Sequence, residues 1–95
     1  MDRSEAQSVL TSHLASYRQR SHADLVTLIG DEHVAQVSGP SGVEYQIEVE
    51  VLWDPPGEAT NVMVIASIDD GRFLSALRPC SASFIMSPNG HVLQG

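Results

Sequence analysis

Residues 43–53 read "VEYQIEVEVLW". Val43, Tyr45, Ile47, Val49, Val51 and Trp53 alternate with Glu44, Gln46, Glu48 and Glu50. A helix would group its apolar residues at i, i+3, i+4 and i+7. A period of two describes a strand with one face on a core and the other toward water. The sheet is therefore the organising element. The rest of the chain must supply what covers its apolar side.

On the N-terminal side, "EHVAQVSG" suggests a strand at 33–38, and "GPSG" at 39–42 is turn chemistry, with Pro40 fixing φ. Residues 2–19 read as an amphipathic helix. Leu10, Leu14 and Tyr17 follow an i, i+4, i+7 stripe, with Ala6 and Val9 alongside. Asp2 with Glu5, and Ser4 with Gln7, both fit a capping-box spacing. A second, short helix is expected over 22–29, with Ser21 as N-cap, Leu25, Leu28 and Ile29 as its apolar face, and Gly30 at C′.

On the C-terminal side, "DPPGEAT" at 54–60 is a loop, because two prolines and a glycine cannot continue a ladder. "NVMVIASID" at 61–69 is a strand that is apolar on both faces: Val62, Val64, Ala66 and Ile68 point one way, Met63 and Ile65 the other. Such a strand is either central and covered or part of a contact patch. "RFLSALR" at 72–78 fits a strand or a helix. The Asp-Gly step before it favours a hairpin and hence a strand, and Pro79 ends it. "SFIMS" at 83–87 reads as a short strand, "PNG" as a turn and "HVL" as a returning edge. The expected fold is α+β. One or two N-terminal helices pack on an antiparallel meander of about four to five strands, against the face of Tyr45, Ile47, Val49 and Val51.

The totals agree with one domain over residues 1–95, and 42% apolar residues suffice for a packed core. The formal charge is 5 − 12 = −7. The positive residues are all arginine (Arg3, Arg18, Arg20, Arg72, Arg78), and there is no lysine. This balance argues against nucleic acid and against an anionic membrane surface, which both need clustered cations. It suits a basic protein partner. No run approaches the ~20 apolar residues of a spanning helix. Cys80 is the single cysteine, and "MDRSEAQSVL" carries no apolar signal segment, so the expected location is the cytoplasm.

The densest chemistry lies in "IASIDDGRF", residues 65–73. Paired carboxylates can act as acid and base or hold a hard cation. Adjacent strand residues, however, point to opposite faces, and Asp-Asp-Gly is strong turn chemistry. His13, His22, His33 and His91 show no i, i+3 or i, i+4 pair on a helix, so no metal site and no cofactor is expected. Cys80 has Arg78 near it in sequence, and His91 as a base that a hairpin would bring closer. "RPCSAS" carries no nucleophile signature.

The order of features resembles a family of short, uncharacterised bacterial proteins with a helical start followed by strands. The matching residues are Tyr17-Arg18, Ser21 to Leu25, Trp53-Asp54, Ser67 to Gly71, Phe84-Ile85 and Pro88-Asn89-Gly90. Arg72 stands where the family pattern has a second glycine. The resemblance implies a helix-then-sheet fold and no activity.

The functional expectation is a non-catalytic protein-interaction module that binds through the sheet face or by adding a strand at an edge. Glu44, Glu48, Glu50, Met63 and Ile65 form the partner-binding face, with an antitoxin- or immunity-like inhibitor of a basic protein as one concrete form. One alternative is a small hydrolase or a ligand- or metal-binding protein built on Asp69, Asp70 and Arg72. Another is a homodimer that buries Met63 and Ile65 against their symmetry mates.

Overall fold

In the computed structural model, which describes residues 2–71 and 80–94, the first helix, α1, spans Arg3–Arg18. Asp2 caps it by accepting a hydrogen bond from the Glu5 N–H at 3.0 Å. Of the two capping spacings in the sequence, this one is used. Ala6, Leu10, Leu14 and Tyr17 form its buried stripe. The second helix, α2, is His22–Val26, capped by Ser21, which accepts from the Asp24 N–H at 3.1 Å. It is shorter than the expected 22–29. After Val26 the backbone tightens to three-residue hydrogen bonds, Leu28 to Leu25 and Ile29 to Val26. Leu28 and Ile29 still pack on the core, and Gly30 turns the chain with a φ of +89°.

Among the described residues, five strands follow: β1 Glu32–Ser38, β2 Glu44–Asp54, β3 Asn61–Asp69, β4 Cys80–Met86 and β5 Val92–Gln94. They form one antiparallel sheet in the order β1-β2-β3-β4-β5. The fold is α+β. The readings of 72–78 as strand or helix, of Pro79 as its end and of Arg72 as a ligand-binding residue fall outside the described residues. β4 begins at Cys80, ahead of the expected 83–87. Ser81, Ala82 and Ser83 give no alternation to read, yet they ladder with Ser67, Ala66 and Ile65. Pairing with a strong neighbour overrides weak strand propensity.

Tyr45, Ile47, Val49 and Val51 of β2 are buried together with Val62, Val64, Ala66 and Ile68 of β3. Cys80, Phe84 and Met86 of β4 complete the sheet's share of the core. The two helices cover this side unevenly. α1 packs across β3 and β4, and α2 packs against β2 and β3. The expectation had centred both on β2. Ala66 and Ala82 are cross-strand partners, so β3 and β4 present a low surface on which a long helix can settle. No helix of the described residues is long and apolar enough to cross a membrane.

One close approach locks α1 to the β1–β2 hairpin. A Cβ added at Gly39 would run into Glu5 Oε1 and lie 2.8 Å from Tyr45 Cε2. Glu5 can shift, but the buried Tyr45 ring cannot easily do so. Gly39→Ala is expected to destabilise the fold by about 1–3 kcal/mol, as overpacking does. A thermal melt of that variant matching wild type would show that the contact is slack.

Candidate functional site

The pleat divides the sheet into a covered side and an outer side that neither helix touches. On the outer side β2 presents Glu44, Gln46, Glu48, Glu50 and Leu52, and β3 presents Met63, Ile65, Ser67 and Asp69. Register brings particular groups together. Met63 lies between Leu52 and Ile85, and Ile65 lies between Glu50 and Ser83. These apolar neighbours leave Met63 and Ile65 half-buried. The five expected partner-binding residues, Glu44, Glu48, Glu50, Met63 and Ile65, thus share one face. β1 adds a residue that the sequence reading passed over: Glu32 is the direct cross-strand partner of Glu50. No spacing within β2 could have revealed it, because the pairing is set by the hairpin register.

Glu32, Glu48 and Glu50 line a cleft of about 160 Å³, with Ile65 and Ser67 as neighbours. Glu48 accepts a hydrogen bond from Gln46 Nε2 at 3.3 Å, and Glu44 accepts one from the Ser38 hydroxyl. Val34, opposite Glu48, is 56% exposed. The arginines of the described residues sit on the helix side. Arg3 Nη1 donates to Cys80 Sγ at 3.3 Å, the Arg18 guanidinium lies over the Phe84 ring, and that of Arg20 lies over Tyr17. Among the described residues the outer face therefore has acids and apolar groups and no cation.

The Gly71 N–H donates to Asp69 Oδ1 at 2.8 Å, with φ +80° at Gly71, which makes the segment a turn. Asp69 closes β3 on the outer face, and Asp70, next in the chain, lies beyond the strand's end, where its charge adds to those that raise the Tyr45 phenol. Cys80 and His91 do not meet. Cys80 opens β4, and His91 follows the turn after Met86. Six strand steps of ~3.3 Å place them ~20 Å apart. His22 Nε2 donates to the Thr60 carbonyl at 2.7 Å, against Trp53, and the His13 ring lies tilted beside Tyr17. Among the described residues no three His, Cys, Asp or Glu side chains are grouped to hold a metal ion.

The structure also opens a groove of about 660 Å³ between α1 and β1. Ser4, Ser8, Val9 and His13 line it from the helix, and Val37 and Pro40 line it from the hairpin. Glu5 stands at its wall, accepting from Tyr45 Oη at 3.0 Å and from Ser41 Oγ at 2.7 Å. The serine spacing along α1 was visible in the sequence. That this flank would lie uncovered beside β1 depended on where the helix settled.

Tyr45 carries an electrostatic signature of this corner. Burial pushes its phenol up to about 12, helped by the hydrogen bond to Glu5 and by the charges of Glu5, Asp2 and Asp70. The unfolded chain releases that proton near 10. Stability from this source is complete below pH 10 and is lost as pH rises through about 12. With no lysine in the chain, few other groups titrate there. Denaturant unfolding stepped across that range should fall steeply for wild type and more gently for Tyr45→Phe. Equal slopes would remove Tyr45 as the cause.

The like charges of Glu32 and Glu50 predict a second effect. Glu50→Gln should raise stability by about 0.2–1 kcal/mol at low salt, the usual cost of an unfavourable cross-strand pair. The gain should fade as salt screens the wild type. A variant no more stable than wild type at low salt would mean that the two carboxylates already splay apart. No protein-family model, curated protein or solved structure matches this chain.

Proposed function

We propose that this chain is a non-catalytic interaction module that takes a basic protein partner on the outer face of its sheet. The observation that carries the reading is the composition of that face. Glu32, Glu44, Glu48 and Glu50 stand beside half-buried Leu52, Met63, Ile65 and Ile85, with no cation of the described residues among them. Apolar groups at the centre contribute about 25 cal/mol per Å² removed from water, and the acids around them steer and orient a cationic surface. A bound cation also relieves the Glu32–Glu50 repulsion, which water screens only in part. The separation of Cys80 from His91 supports binding over catalysis.

The test is a comparison of wild type with the Glu48→Arg/Glu50→Arg double variant. The variant should keep its melting transition and far-ultraviolet spectrum. Wild type on a column should retain a basic protein from the native lysate at low salt and release it at high salt. The variant should retain none of it. Equal retention by both proteins would rule out the acidic face as the binding surface.

A further inference from the structure

The two edges of the sheet are unlike. β5 has three residues and pairs across a bulge at Ile85/Met86, which blunts that side. β1 has seven residues in unbroken register with β2, and no strand of the described residues lies beyond it. It contains no proline, no bulge and no lysine, the usual means of closing an edge.

Hydrogen-bond alternation shows which groups this edge offers. The Gly39 N–H donates to the Val43 carbonyl at 2.8 Å. Counting back in an antiparallel ladder, Val37, Ala35 and His33 bond toward β2. Ser38, Gln36, Val34 and Glu32 therefore turn their N–H and C=O groups away from the sheet. Those four residues carry their side chains on the outer, acidic face, and the alternate three face the helix side, where Val37 lines the α1 groove.

Building on the acidic-face reading above, we infer that β1 is the receiving edge for an extended segment of the basic partner, added as a further strand. Residues of that strand opposite Glu32, Val34, Gln36 and Ser38 lie on the acidic face. Cations suit those positions. They meet Glu32 directly, and a long arginine or lysine stem reaches across β1 to Glu48 and Glu50, about 10 Å or two strand spacings away. The alternate residues lie on the helix side of the sheet, and the one opposite Val37 enters the groove beside Val9 and His13, which takes an apolar or small side chain. The preferred segment thus alternates basic with apolar residues. A second copy of this chain fits less well, because two chains of net charge −7 would bring Glu32, Glu48 and Glu50 of each toward the other.

The probe is a synthetic peptide of about ten residues alternating arginine and valine. Its control has the same composition with the arginines in one block and the valines in the other. The alternating peptide should bind at least about tenfold more tightly, a difference of roughly 1.4 kcal/mol. At saturation it should protect the backbone amides of Val34 and Gln36 from hydrogen exchange. Gln36→Pro removes one outward N–H without touching the β1–β2 ladder, and should weaken the alternating peptide by a similar factor. If that variant melts early, the exchange measurement on wild type decides. Equal binding of both peptides, or saturation without protection of Val34 and Gln36, overturns strand addition. The acidic-face reading survives that result if Glu48→Arg/Glu50→Arg abolishes binding. Failure of both peptides to bind sinks both readings. Protection of the same amides without peptide, with a doubled mass in light scattering, assigns the edge to a second copy and overturns the proposal.

Discussion

The burial of alternate β2 residues in the core constrains everything else in this molecule. Tyr45, Ile47, Val49 and Val51 are each about 1% exposed or less. Their burial fixes which way the strand faces. The pleat then leaves Glu44, Glu48 and Glu50 no position except the opposite side, and a one-residue slip would exchange the two sets. The acidic face is thus a geometric consequence of the core. Any function built on it inherits the rigidity of the best-packed strand in the sheet.

Magnitudes show why the fold tolerates such a face. A fully buried valine or isoleucine contributes about 1.5–3 kcal/mol, and a like-charge cross-strand pair costs about 0.2–1. The covered side outweighs the repulsion on the outer side several times over. The corner at Glu5, Gly39 and Tyr45 follows a different logic. There a carboxylate is held against a buried phenol and a serine hydroxyl, and the missing Cβ of Gly39 gives it room. That corner anchors α1 to the hairpin while the rest of the helix lies over β3 and β4. The groove beside β1 is the space left between the anchor and the helix's resting place.

Local pattern made part of this legible. β2 and β3 carry alternation strong enough to place each side chain on a face, so the shared side of Glu48, Glu50, Met63 and Ile65 followed from the chain alone. The turn at Asp69 to Gly71 was likewise readable, because aspartate and glycine serve it through their own backbone chemistry. Properties set by long-range pairing were not readable. The early start of β4 is imposed by β3 on Ser81 and Ala82, which have little strand preference themselves. Glu32 joined the acid cluster through register. The α1–β1 groove depended on the helix lying toward β4, which neither its stripe nor the sheet's own pattern specifies. The end of α2 moved for a local reason instead: the backbone tightened while Leu28 and Ile29 kept their burial.

The unblunted edge of β1 has a colloidal consequence as well. Strand edges of this length template self-association when nothing keeps copies apart. Here net negative charge is the guard, since neither proline nor bulge interrupts β1. That guard weakens as the solution approaches the isoelectric point near 4.7. Mild acid should therefore be this protein's route to aggregation, through an intact fold whose edges begin to stack before its core gives way.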